Sequence, residues 1–125
     1  MIVGVGLDMA EIPRIEQLIA RWGERFLSRV YTDSERAHCH GRARRASHFA
    51  ARFAAKEATL KALSVPKGLS WHEMEVHGGG DQPPTMVLSG RALRCANALG
   101  IARLHLSLTH TDDIAAAVVI AESTP

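Results

Sequence analysis

The stretch "ARFAAKEATLKAL", residues 50–62, constrains the fold more than any other. Its periodicity predicts a helix from Ser47 to Leu63, with Ser47 as its cap. Place Phe49 at zero and step ~100° per residue: Phe53, Leu60 and Leu63 share one stripe, and Lys56 lies among them. Glu57 and Lys61 flank that stripe beside Ala50 and Ala54, and Ala51, Ala55, Ala58 and Ala62 form the remaining face. A helix that is apolar all round is buried. The chain must therefore wrap other elements about it, and the alanines let them come close. Two accounts fit its charges. Glu57 and Lys61 form an i,i+4 pair while Arg52 and Lys56 snorkel out. Alternatively the charges are partly buried and meet a metal ion and an anionic ligand, because buried charge needs a partner.

The other elements are short. "MIVGVGL" reads as a buried strand, in which Gly4 and Gly6 mark close approach by another backbone. Asp8 follows its end. Residues 10–22 carry Ile12, Ile15, Leu18, Ile19 and Trp22 at helical spacing, with Pro13 in the first turn. Thr32 or Asp33 caps a short helix, and Arg42, Arg44 and Arg45 fall in a loop. "SVPKGLS" breaks the chain. "WHEMEVH" and "TMVLSG" read as strands around the turn "GGGDQPP". "RALRCANALG" is an amphipathic helix stopped by Gly100. "LHLSLTH" alternates strictly, "TDD" turns, and "IAAAVVIAE" returns as a buried strand. No repeat or linker interrupts residues 1–125, so one α+β domain is expected.

Charge narrows the function. Residues 1–62 hold eleven Lys/Arg against seven Asp/Glu, a net +4; residues 63–125 hold four against six, a net −2. The positive half is mostly arginine, whose planar fork suits carboxylates and phosphates, so an anionic partner is expected. Two cysteines make no disulfide framework and favour a reducing compartment. No run approaches the ~20 apolar residues of a membrane span. The cytoplasm is the expected location.

Asp8 at a strand end and Glu57 on the helix would together suit Mg²⁺, which binds through one or two carboxylates plus substrate phosphates. Lys61 and nearby arginines would hold those phosphates. Asp8 would equally serve as a helix N-cap. Arg14, Arg21 and Arg25 recur at i, i+7 and i+11, along one edge of the first helix if it continues past Gly23. That edge is either solvated or a dock for an acidic helix. His110 is either structural or an anion contact. "GVGLDM" lacks the third glycine of a dinucleotide fingerprint, and "HCH" at 38–40 does not present a tetrahedral zinc set. Cys39 and Cys95 have no identifiable base. A basic RNA-binding module would want aromatic-studded strands, and aromatics are only 5% of the chain.

"GVGLDMAEIPRI", "ARFAAKEATLKAL" and "SLTHTDDIAAAVVI" together resemble the holo-[acyl-carrier-protein] synthases, the small trimeric 4′-phosphopantetheinyl transferases. "FLSRVYTDSE", "GLSWHEMEV" and "PTMVLSGRA" agree, so the resemblance runs along nearly the whole chain in order. It implies a fold with a mostly antiparallel sheet packed on a long central helix, assembled as a homotrimer with sites between subunits. It implies transfer of 4′-phosphopantetheine from coenzyme A to a serine of apo acyl carrier protein, in fatty-acid or polyketide synthesis, with no role for nucleic acid or membrane. Asp8 and Glu57 would hold Mg²⁺, with Lys61 facing the phosphates. Arg45, Arg52, Pro84 and His110 would bind coenzyme A, and Arg14, Arg21 and Arg25 the carrier protein. The serine's base would be Glu57, a water beside it, or a carboxylate near Asp33 and Glu35. The sequence departs from the family pattern at Ala10, where larger relatives carry a second acidic residue, and at Gln82, which replaces a glycine in the hairpin turn. Lys56 is assigned to a ligand or a carboxylate.

Overall fold

The first strand and the long helix touch backbone to backbone. A Cβ added at Gly4 would lie 2.0 Å from the Ala62 carbonyl oxygen, and one at Gly6 1.8 Å from that of Ala58. No side chain fits at either place, so the glycines are the condition for this packing. The computed structural model in which this is seen describes residues 1–65 and 68–124. Part of the expected break, Pro66 and Lys67, lies outside the described residues.

In chain order the elements are β1 (Ile2–Glu11), α1 (Ile12–Trp22), α2 (Glu24–Val30), α3 (Asp33–His40), α4 (Arg45–Leu63), a 3-10 turn (Trp71–Glu73), β2 (Met74–Gly79), β3 (Gln82–Leu88), α5 (Gly90–Ala98), β4 (Ile101–His110) and β5 (Ile114–Ser123). The class is α+β, as expected. The hydrogen-bonded strands form two antiparallel sheets rather than one: β1-β5-β4 and β2-β3. Helix α4 lies across the inner face of the larger sheet. Ala50, Ala54, Ala55 and Ala58 are fully buried on it, against Ala115, Ala117, Val119 and Ala121 of β5. Small residues on both surfaces bring helix and sheet together.

Several boundaries move. β1 runs to Glu11, so Asp8 sits inside the strand, opposite Ala117, and is not a helix cap. Glu11 precedes α1 instead. The first helix ends at Trp22, because Gly23 has φ 50° and redirects the chain; Arg25 belongs to α2. Thr32 caps α3 in a reciprocal capping box with Glu35. Helix α4 begins at Arg45, inside the expected loop, and Ser47 is not its cap; the Ser47 hydroxyl donates to the Arg44 carbonyl at 3.1 Å. "WHE" forms a 3-10 turn, not the start of a strand.

Lys56 is fully buried and does not snorkel. Its ammonium donates to Glu35 Oε1 at 2.8 Å and to the carbonyls of Trp71 (2.9 Å) and Met74 (2.6 Å). Glu35 is also fully buried; it accepts from the amides of Thr32 and Val76. Burial pulls the Lys56 pKa down and the Glu35 carboxylate opposes that. The pair fastens α3, α4 and β2 at one point. Replacing Lys56→Met strands the Glu35 charge and should cost about 3–5 kcal/mol in urea unfolding. Lys56→Met with Glu35→Gln removes that charge and should recover part of the loss. Equal losses in the single and double variants would show that the stranded charge is not the cause.

Candidate active site

Alternate residues of β1 face α4. Past Gly4 and Gly6, the next on that face is Asp8. It meets α4 where Lys61 and Glu57 lie one turn apart. Lys61 Nζ donates to Asp8 Oδ1 at 3.0 Å and to the Leu7 carbonyl at 2.9 Å. Partial burial raises the Glu57 pKa, the Asp8 charge raises it further, and Lys61 opposes both. Two carboxylates thus face one pocket of ≈ 310 Å³, bordered also by Glu11, Arg14 and Phe53. Among the described residues no group of three or more His, Cys, Asp or Glu is placed to hold a metal. Glu11 borders the pocket without completing a cluster, and Ala10 leaves its place without a carboxylate. The donor set is a pair, which suits an ion that takes its remaining oxygens from water and substrate.

A second pocket, of ≈ 450 Å³, opens at the other edge of the sheet. Arg52, Pro84 and His110 meet there, together with His48 and the Gly79–Gly80 turn. Arg52 is 2% exposed; one Nη donates to the Gly78 carbonyl at 2.8 Å, and its Nε has no partner. His38 Nε2 is likewise buried and unpartnered. Burial, then the charges of Arg52 and Arg42, lower the His38 pKa to about 4 and depress His48 in the same way. The sequence reading missed His38, His48 and Arg42. They reach this place from α3, α4 and the connection between them, and only the fold collects them.

Arg45 is not in that pocket. At the start of α4 it contacts His40 Nδ1 at 3.0 Å and borders a separate hollow with Ile12, Glu16 and Asp112. The three arginines expected to meet the carrier protein also divide. Arg14 borders the carboxylate pocket. Arg21 and Arg25 stack on the half-exposed Trp22, at 5.0 and 5.6 Å from its ring. Beside Trp22 runs an apolar groove of ≈ 530 Å³ with Leu18 and Phe26 in it and Arg25 and Arg29 at its rim. Leu18 borders both this groove and the carboxylate pocket. Of the carboxylates near residue 35, Glu35 is spent on Lys56 and cannot act as a base. Cys39 is buried, its thiol pushed up to about 12, which rules it out as a nucleophile.

The chain matches the family model for the 4′-phosphopantetheinyl transferase superfamily over residues 4–119. It is 49% identical to a holo-[acyl-carrier-protein] synthase of Anaeromyxobacter dehalogenans, over 99% of this chain and 98% of the relative. Its fold superposes on the crystal structure of the synthase from Neisseria meningitidis with a TM-score of 0.89, at 28% identity, covering 98% of this chain and 100% of the other. With the Helicobacter pylori synthase, solved in complex with coenzyme A, the TM-score is 0.82 at 32% identity, over 94% and 99% of the two chains. Carboxylate pair, basic pocket and arginine-rimmed groove thus occur in a chain that belongs to the 4′-phosphopantetheinyl transferase superfamily, within its holo-[acyl-carrier-protein] synthases.

Proposed function

We propose that this protein transfers 4′-phosphopantetheine from coenzyme A to a serine of apo acyl carrier protein, releasing adenosine 3′,5′-bisphosphate. The observation that carries the reading is the Asp8–Lys61 contact beside Glu57, where Asp8 and Glu57 line a pocket that shares Leu18 with the arginine-rimmed groove. Asp8 and Glu57 would hold Mg²⁺, and their fit to it has a physical sign: burial and the Asp8 charge disfavour the ionised form of Glu57, and a cation relieves that. Held by Asp8 and Glu57, such an ion would supply positive charge against the diphosphate. Lys61 adds a further positive charge at the leaving phosphate. The serine oxygen attacks the phosphorus that carries pantetheine, the phosphorus–oxygen bond to the nucleotide phosphate breaks, and Glu57 takes the serine proton. Positioning and electrostatics supply most of the rate. The basic pocket around Arg52, Pro84 and His110 takes the nucleotide end of coenzyme A. An acidic carrier helix lies on Arg14, Arg21 and Arg25, with Trp22 as its apolar contact. Two free cysteines accord with a cytoplasmic setting, and among the described residues no helix is long and apolar enough to cross a membrane.

Two observations support assembly as a homotrimer. Val5, Leu7 and Met9 are 59%, 61% and 67% exposed on the outer sheet face, beside Ile120, Val118 and Ala116 of β5. A continuous apolar face of this kind calls for cover. The carboxylate pocket lies at the β1 edge and the basic pocket at the β4 edge, with α4 between them. Arg52 and Glu57 point about 140° apart around that helix. A single coenzyme A reaches both kinds of pocket when the β1 edge of one copy meets the β4 edge of the next, a head-to-tail contact that closes into a ring.

Intact-mass analysis of an apo carrier protein should show one added phosphopantetheine, lost when the metal is chelated. Asp8→Ala and Glu57→Ala should each lower turnover by at least ~10²-fold with the fold retained by circular dichroism. Full activity in both would remove these residues from the chemistry. Arg21→Glu should raise KM for the carrier protein by about tenfold and leave KM for coenzyme A unchanged, which initial rates resolve. Sedimentation velocity should give a trimer, and Val5→Glu should shift it to monomer; a monomeric native protein would refute the assembly.

A further inference from the structure

The basic pocket holds more positive and protonatable groups than coenzyme A recognition has yet used. His48 borders it, and the His38 ring packs edge-on against His48 with centroids 5.8 Å apart. His38 Nε2 and Arg52 Nη1 approach the same glycine: a Cβ on Gly79 would lie 3.9 and 3.6 Å from them. Arg42 closes on the next, with Nη1 2.9 Å from a Cβ placed on Gly80. Two buried nitrogens in this cluster, Arg52 Nε and His38 Nε2, have no acceptor. The groups that face the pair are Arg42 from the α3–α4 connection, Arg52 from α4 and His110 from β4. Asp81, exposed at the β2–β3 turn, is the one carboxylate that borders the pocket among the described residues. The free protein thus keeps two imidazoles neutral beside guanidinium charge.

We propose that His48, backed by His38, is part of the site for the phosphates of coenzyme A, and that filling this site draws a proton from solution onto the imidazole pair. The inference rests on the transferase reading above. The sign is fixed by Coulomb's law. In the free protein, burial and two arginines disfavour the imidazolium form, and a dianionic phosphate ester reverses the electrostatic part. The proton goes to an imidazole nitrogen, which then donates to a phosphate oxygen. Linkage makes binding tighter as pH falls through the interval between the free and the bound pKa, by at most about tenfold per pH unit for one proton. His48 contacts the ligand, whereas His38 is a positioning residue acting through His48.

The test is titration calorimetry with adenosine 3′,5′-bisphosphate and with coenzyme A, at about pH 6.5, near the imidazole midpoint. Two buffers of unlike ionisation enthalpy, neither of them phosphate, give the number of protons exchanged. The phosphate ester also titrates near pH 6 and releases protons on binding, so the readout is the difference between the native protein and a variant. His48→Asn and His38→Asn should each reduce net uptake relative to the native protein and flatten the pH dependence of affinity. Histidine ring NMR of the native protein reads the same event without substitution: one imidazole of the pair should pass to the protonated form on adding the bisphosphate. Binding with the same proton count in native and variant proteins, or ring signals that stay neutral, overturns this inference and leaves the transferase reading intact. Failure of both ligands to bind overturns the two together.

Discussion

The contact between Gly4 and Gly6 of β1 and the Ala62 and Ala58 carbonyls of α4 sets the distance on which the rest is built. At this separation a strand residue with a short acidic side chain reaches the helix directly. Asp8 is that residue, and Lys61 and Glu57 are what it finds. A methyl group at Gly6 would push strand and helix apart and carry the carboxylates with it. The smallness of two residues in β1 and four alanines in α4 is therefore as much a part of the site as the charges.

The helix that carries the site is held from its other side by polar means. Lys56 and Glu35 meet out of reach of water, with Trp71 and Met74 carbonyls and the Val76 amide completing their hydrogen bonds. Such a pair adds little net stability over an apolar pair of the same volume. Its effect is to make one register of α4 against α3 and β2 much better than its neighbours. An alanine-rich helix needs such a fixing point, since small side chains interlock weakly and would tolerate a slide along the sheet.

Much of this was legible in the sequence. The helical stripe around Phe53 and Leu60, the glycine pair in the first strand and the alternation of Leu104, Leu106 and Leu108 each point to one element and one buried face, because local period reports local geometry. What was lost lies in contacts between distant positions. Nothing near Lys56 in the sequence names Glu35, twenty-one residues earlier, as its partner. The cationic pocket draws on α3, α4, β4 and the β2–β3 turn, so its histidines look unremarkable until the chain closes. Arg45 illustrates the reverse case: the family resemblance implied a role beside Arg52, yet Arg45, seven residues away along the helix, borders a different hollow.

If copies assemble in the proposed ring, the placement of the two pockets at opposite edges of one sheet has a genetic consequence. In a closed ring each copy lends an acidic edge to one neighbour and a basic edge to the other. A copy crippled at Asp8 still offers a sound Arg52 edge, and a copy crippled at Arg52 still offers a sound Asp8 edge. Within such a ring, two defective alleles complement each other when they damage different edges. A single allele damaged at both edges contributes to no working site, whatever its partners.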